Sequence, residues 1–526
     1  MSSVPLNVRG YPRLHEAEEL LRKGATEEAS FKVIEHLREH RDEPRGLALL
    51  GEIAIETGGL LQAEHFLRRS IALGNTSLDA ERNLATCILK QNRLVEAVDA
   101  FAALETQTND PEIALTRAMT LDRLGRSAEA IAIHERIIRL DSEAKFWILY
   151  GHSLRFAGRT DDAVAAYRHV VERDPERGEA WWSLADIKSK VLTDEDMETM
   201  QSALAIAVDV LNIVPLHMAL GRGWHDRGEH ERAFGHYREG NRLRADLLKY
   251  NPDELTNEVD EFLKLAPTSL FGAPGEPDGP TPVFLLSLPR SGSTLLEQML
   301  NCHPSIEATG ELPYIRAVMR DALEMRLRRQ HISVPEFVEQ LDADEARALG
   351  AEYLRRASHH LQTDARYFID KMPTNWSDIL FIRKILPNAR FIEIRRDPMD
   401  CCFSNYSHHF GSAHAPSFDL VHQARSCLDY WRFMDHIVEV APDLMCSIRY
   451  EELVEDPQKE ITKALDYLGL EWDDSLLRFY ESDRIVRTPS AEQVRRPINR
   501  SGIGTWKPYA KWLGPLTETL GPLANQ

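Results

Sequence analysis

Residues 281–300 read TPVFLLSLPRSGSTLLEQML. Val283 to Leu288 is almost wholly apolar and suits a parallel strand buried on both faces. Leu295, Leu296, Met299 and Leu300 fall on one face of a helix. The stretch therefore predicts a strand, a tight loop and a helix. The loop Pro289-Arg290-Ser291-Gly292-Ser293-Thr294 sits at the helix N-terminus, where unpaired N–H groups and the positive dipole end attract an anion. Ser293 and Thr294 add hydroxyls, and Arg290 adds fixed charge. A nucleoside-triphosphate loop reads G-x-x-x-x-G-K-[ST]. Here Ser293 follows Gly292 and the first glycine is missing, which disfavours kinase or NTPase chemistry.

Further along, ARFIEIRRDPMDCCFSNYSHHF (389–410) predicts a strand over Phe391 to Arg395, then Arg396-Asp397-Pro398, with Ser404 eight residues after Arg396. A strand end followed by a helix start brings a guanidinium fork and a hydroxyl to one anion. CSIRYEELVEDPQKEITKALDYLGL (446–470) repeats the strand, acidic turn and helix order. Alternating strands and helices favour an α/β sheet with helices on both faces.

From FLLSLPRSGSTLLEQMLNCHP onward, roughly Val283 to Leu516, the chain resembles the sulfotransferase family. The resemblance implies a P-loop-type fold with a mainly parallel sheet. It also implies 3′-phosphoadenosine 5′-phosphosulfate (PAPS) as donor, with no metal needed. Arg290, Ser291, Gly292, Ser293 and Thr294 would then hold the 5′-phosphosulfate, and Arg396 and Ser404 the 3′-phosphate. CHPSIEATGELPYI carries Glu311, which is similar to the Gly-Glu base of the tyrosylprotein sulfotransferases; otherwise Glu311 is a helix charge partner or a salt bridge to Arg290. In RYFIDKMPTNW, Lys371 matches the lysine that contacts the bridging oxygen; otherwise it is a solvated surface charge. Cytosolic small-molecule sulfotransferases carry a histidine two residues after that lysine, where this chain has Pro373. The departure makes a carboxylate base more credible. TPSAEQVRRPINRSGIGTWKPYAKWLGPL resembles donor-capping segments of both subfamilies, and Tyr450, Ser490, Arg500 and Lys507 are candidate donor contacts. A glycine-rich surface turn with stray basic residues is the other reading. Cys401, Cys402, His408 and His409 fit a buried helix face as well as a metal site, and no metal is assigned.

Upstream, residues 265–282 (LAPTSLFGAPGEPDGPTP) are dense in Pro and Gly and read as a linker. This sets domains at 1–264 and 283–526. Before the linker, Ala29, Ala63, Ala97, Ala130 and Ala163 recur at spacings of 34, 34, 33 and 33 residues. A small residue precedes them (Gly51, Ala85, Gly151) and a bulky one follows four later (Leu67, Phe101, His134, Tyr167). The pattern resembles the tetratricopeptide repeat, an all-α solenoid of about six units, with an irregular insertion near 189–213 and a last unit around Gly221 and Ala233. Such arrays present a concave face to a peptide or protein.

The 526 residues exceed one core and imply several domains. Net charge is −20, with −6 on residues 281–526 and −14 on 1–280, which argues against nucleic acid as a partner. Six scattered cysteines, an N-terminus without a basic-then-apolar leader and the lack of a long apolar run predict a soluble, cytoplasmic chain. The expected activity is transfer of a sulfuryl group to an acceptor hydroxyl by Glu311, Arg290 and Lys371. A protein or peptide tyrosine, brought by the repeats, is the favoured acceptor. A small alcohol, lipid or saccharide is the alternative, and a repeat scaffold with a non-catalytic nucleotide-binding domain is the rival from another class. Oligomeric state is left open.

Overall fold

The computed structural model describes residues 11–140, 143–187, 190–265, 279–327, 332–411, 413–481 and 497–525. Fifteen helices occupy the described residues from Pro12 to Leu265. Ala29, Ala63, Ala97, Ala130 and Ala163 are all fully buried, as their spacing requires. The small and bulky positions meet: a Cβ added to Gly51 would lie 2.6 Å from Leu67 Cγ, and one on Gly151 2.4 Å from Tyr167 Cε1. Gly221 stands in the same relation to Tyr237, at 2.5 Å. Close helix approach in these three hairpins thus depends on a missing side chain whose space a large neighbour fills.

The insertion expected to be irregular near 189–213 holds a regular helix, Asp194–Ile206, closed by a capping box between Thr193 and Asp196. The next helix, Val210–Asp226, pairs with His230–Leu248.

The chain forms two compact units, residues 1–133 with 317–331, and residues 134–316 with 332–526. They part inside the helical array, whereas the sequence placed its boundary at 265–282; residues 266–278 of that stretch lie outside the described residues. In the first unit the Glu324 carboxylate accepts from the N–H groups of Leu61 and Gln62, at 3.0 and 3.1 Å, and closes the start of helix Leu60–Ala72.

The second unit contains a five-stranded parallel sheet of order β2-β3-β1-β4-β5. The strands are β1 (Thr281–Leu286), β2 (Ile306–Gly310), β3 (Tyr367–Asp370), β4 (Arg390–Arg395) and β5 (Met445–Arg449). β1 begins two residues before the expected Val283. Its first two residues pair only with β3, since β4 joins at Val283, so the N–H that Pro282 lacks is missing from a side with no partner strand. Alternate residues Val283, Leu285, Ile392 and Ile394 pack under Leu296, Met299, Ile461 and Leu465. Phe284 and Phe391, stacked at 5.8 Å, face the opposite helix layer with Tyr353.

Helices of the array from 144 onward belong to this unit and grip the sheet domain. Asn241 Nδ2 donates to the Tyr406 carbonyl at 2.7 Å, Thr256 Oγ1 to Asp429 at 2.7 Å, and Trp182 lies edge-on to His408. Among the described residues no helix is long and apolar enough to cross a membrane.

Candidate active site

The carboxyl ends of four neighbouring strands converge, which is where open parallel sheets bind ligands. β1 runs into the expected loop and then into the helix Ser293–Leu300. Gly292 precedes this helix with φ +95°, and no side chain caps it. Ser293 and Thr294 lie buried in its first turn. Arg290 has φ +68°, a left-handed conformation that costs a non-glycine residue about 1–2 kcal/mol and is tolerated where a site requires it.

Arg290 Nε donates to Ser404 Oγ at 3.3 Å, which links the loop to the helix Pro398–Tyr406 after β4. Burial pulls the Arg290 guanidinium down to about 10; the charge of Asp186 opposes this, and Arg396 and Arg222 add to it. Arg290 is still a cation at neutral pH. Asp186 and Arg222 come from array helices Gly178–Asp186 and Val210–Asp226, so the array contributes charge to this site. Asp186 also pairs with Arg155 at 2.9 Å and lies 3.6 Å from His408 Nδ1. No sequence signal marked these array residues.

Arg396 is buried and held from two sides. Its Nη1 donates to the Arg290 carbonyl at 2.7 Å and its Nη2 to the Gly502 carbonyl, while its Nε is buried without a hydrogen-bond partner. A spare buried guanidinium N–H beside an uncapped helix start suits a phosphate or sulfate oxygen. The Tyr450 ring lies under the Arg396 guanidinium at 5.1 Å and fills the space a Cβ on Gly292 or Gly502 would take. Asp400, which sequence reasoning passed over, accepts from Gly504 N at 2.6 Å, Thr505 Oγ1 at 2.8 Å and Trp506 N at 3.3 Å. That carboxylate fastens the C-terminal segment beside Arg396.

Across β1, Lys371 Nζ meets Glu311 Oε1 at 2.5 Å. Glu311 follows β2 and Lys371 follows β3, adjacent strands, so the topology itself forms the pair. The Lys371 side chain is 2% exposed and that of Glu311 40%, which leaves the carboxylate open to a substrate. Burial works to lower the Lys371 ammonium, but the charges of Glu311 and Glu297 hold it above the ordinary lysine range. The alternative salt bridge from Glu311 to Arg290 is thus replaced by one to Lys371.

Other candidates sit differently. The Ser291 hydroxyl is turned back to Cys401 Sγ at 3.4 Å, so this side chain serves the loop and leaves only its backbone for an anion. Arg500 is exposed and paired with Glu455, on the acidic helix after β5, at 3.2 Å. Lys507 is exposed and folds over Gly504. Ser490 lies outside the described residues. Burial pushes the Cys401 thiol up to about 12, and no cluster of three or more His, Cys, Asp or Glu placed to hold a metal occurs among the described residues.

Residues 282–474 match the sulfotransferase family and residues 144–187 the tetratricopeptide repeat. An uncharacterized protein of Aquifex aeolicus is 27% identical over 380 residues, covering 70% of this chain and 49% of its own length. Protein-tyrosine sulfotransferase 2 of Gallus gallus is 27% identical over 245 residues, 43% of this chain and 62% of its own. Protein-tyrosine sulfotransferase 1 of Danio rerio is 29% identical over 245 residues, 43% of this chain and 65% of its own. The chain thus spans between about half and two thirds of the length of these relatives. The family match and the sequence similarity agree: the chain carries a sulfotransferase-family domain at residues 282–474 behind tetratricopeptide-repeat helices.

Proposed function

We propose that the protein transfers a sulfuryl group from PAPS to an acceptor hydroxyl, with a protein or peptide tyrosine as acceptor. The observation that carries this reading is the pair Glu311–Lys371, at 2.5 Å on adjacent strand ends, beside the Arg290–Ser404–Arg396 cluster. PAPS bound there would supply an activated sulfuryl group on its 5′-phosphate. Arg396, with its unengaged Nε, and Ser404 would hold the 3′-phosphate. The N–H groups at the start of helix Ser293–Leu300 and Arg290 would hold the 5′ end. Glu311, the exposed member of its pair, would take the proton of the acceptor hydroxyl, and Lys371 and Arg290 would face the charge that develops on the leaving side. The tyrosine acceptor is supported by the similarity to protein-tyrosine sulfotransferases.

The test is titration calorimetry of the full chain with 3′-phosphoadenosine 5′-phosphate (PAP), with ATP as comparison, together with turnover of PAPS on a tyrosyl peptide. Arg396→Ala is expected to weaken PAP at least about tenfold, the value of one charge-assisted bond. Glu311→Gln is expected to lower turnover about 10²–10⁴-fold with PAP affinity unchanged. Equal binding of ATP and PAP, or full activity of Glu311→Gln, would refute the reading.

A further inference from the structure

Asp370 is the last residue of β3 and is fully buried. It lies next to Lys371 in the chain, yet its side chain points the other way, into the sheet domain. Asp370 Oδ1 accepts from the N–H of Leu312 at 3.4 Å and of Met372 at 3.2 Å. Oδ2 accepts from the Tyr353 hydroxyl at 2.9 Å. Leu312 follows Glu311 and Met372 follows Lys371, so one oxygen fastens the two segments that carry the pair. The Lys371 N–H completes the join by donating to the Gly310 carbonyl at 2.8 Å. Pairing of β2 with β3 shifts register between Ala308 and Gly310, bringing Gly310 opposite Asp370. The bend that follows turns Glu311 toward Lys371.

We propose that Asp370 is the positioning residue that sets the separation and orientation of Glu311 and Lys371. The inference rests on the reading of that pair as the proton acceptor and charge stabiliser given above. A carboxylate buried at a strand end is a costly choice, since burial penalises its charge. That penalty shows as a carboxyl pushed up to about 7 by burial, against the lowering effect of Tyr353, Met372, Leu312 and Asn375. A smaller or apolar residue would avoid the cost but leave the buried Leu312 N–H and the half-buried Met372 N–H without this acceptor. A planar group with an acceptor in the Oδ1 position is what the two segments require. Asparagine keeps that oxygen, and its Nδ2 can donate to Tyr353 after the hydroxyl rotates. Alanine keeps neither.

The decisive comparison is between full-length Asp370→Ala and Asp370→Asn, with PAP affinity and PAPS turnover on a tyrosyl peptide measured for each. Asp370→Ala is expected to lose about 100-fold in turnover, the scale of an ångström-level misplacement, with PAP affinity within about threefold of the parent. Asp370→Asn is expected to recover turnover to within about fivefold, the effect of one altered hydrogen bond. A purely structural role would move both variants, and both readouts, together. Should Asp370→Ala not fold, Tyr353→Phe removes the Oδ2 partner alone and is expected to lower turnover about fivefold with PAP affinity unchanged. Parent-like turnover in Asp370→Ala, or in Tyr353→Phe where Ala fails, overturns the proposal, as does loss of PAP affinity in step with turnover. If the parent itself neither binds PAP nor transfers, the functional reading fails, and crystal structures then decide for Asp370 separately. Glu311 and Lys371 should part beyond 4 Å, the limit of an ion pair, in Asp370→Ala and stay paired in Asp370→Asn; an intact pair in the alanine variant overturns the positioning role.

Discussion

Gly292 is the residue where the anion loop is least tolerant. Its φ of +95° lies in the left-handed region, and an added Cβ would fall 2.4 Å from Tyr450 Cδ2. The ring is confined by Arg396 over its face, and its hydroxyl lies in the space that a Cβ on Gly502 would take, 2.6 Å from that position. Gly292→Ala therefore meets backbone strain of about 1–2 kcal/mol and a displaced Tyr450 at once. PAP affinity is expected to fall at least about tenfold, corresponding to ~1.4 kcal/mol; parent-like affinity by calorimetry would remove the loop from the donor site. At this scale the sequence was legible where spacing places a residue relative to a strand end. Arg396 and Ser404 stand eight apart on a strand end and helix, and Glu311 and Lys371 each follow a strand directly. It was not legible where direction decides. Nothing in PRSGST distinguishes Ser291, turned to Cys401, from Ser293, and Arg500 depends on a glutamate 45 positions away in the chain.

At the scale of elements, the strand–loop–helix of 281–300 was readable because its apolar periodicity changes abruptly at a short polar loop. The start of β1 was not, since Pro282 reads as linker until the one-sided pairing of Thr281 and Pro282 is seen. The helix Asp194–Ile206 was missed although its Thr193-to-Asp196 capping box is written in the chain, because the repeat register masked it. The larger surprise is how the array joins the site. Ser404 lies on the helix Pro398–Tyr406, and the end of that helix is held by array residues: Asn241 on the Tyr406 carbonyl, Phe234 stacked on the Tyr406 ring at 6.0 Å, and Trp182 and Asp186 against His408. The array helices from 144 onward are therefore part of the scaffold of the sulfotransferase-family domain. Deleting residues 1–264 is expected to abolish PAP binding, and Asn241→Ala to weaken it severalfold through an unsatisfied carbonyl and a loosened Ser404. A fragment 265–526 that binds PAP as tightly as the full chain would show instead that the array is a detachable adaptor.

For the molecule as a whole, the buried titratable groups set a stability profile that leans away from acid. Burial pulls His134, His225, His236, His409 and His414 down to about 4. All five belong to the unit that contains the sheet. In the unfolded chain histidine takes a proton near pH 6.5, so between about pH 6.5 and 4 the unfolded state binds more protons and stability falls as pH falls. Asp370 acts with the opposite sign. Its folded carboxyl stands near 7, above the unfolded value of about 3.9, so its contribution is complete below pH 4 and is lost as pH rises through 7. Burial also raises the Glu258, Asp378 and Asp429 carboxyls, which act with Asp370, and lowers His169 and His217, which act with the five. Seven histidines against four carboxyls in this unit tilt its stability away from acid. His134 is the clearest single contributor: it is fully buried, neither ring nitrogen has a hydrogen-bond partner, and it occupies the bulky repeat position that Leu67 and Tyr167 fill elsewhere. Leucine fits the same position without a group to protonate. His134→Leu is expected to unfold at a higher temperature than the parent at pH 5, about 1.5 pH units below the pKa of the unfolded histidine, where its protonation costs the parent about 2 kcal/mol, and to differ less from it at pH 7.5. Calorimetric scans at the two pH values check this. A variant whose melting temperature falls between pH 7.5 and 5 as steeply as the parent's would mean that His134 is protonated within the fold, and the acid sensitivity would then have to come from the other histidines.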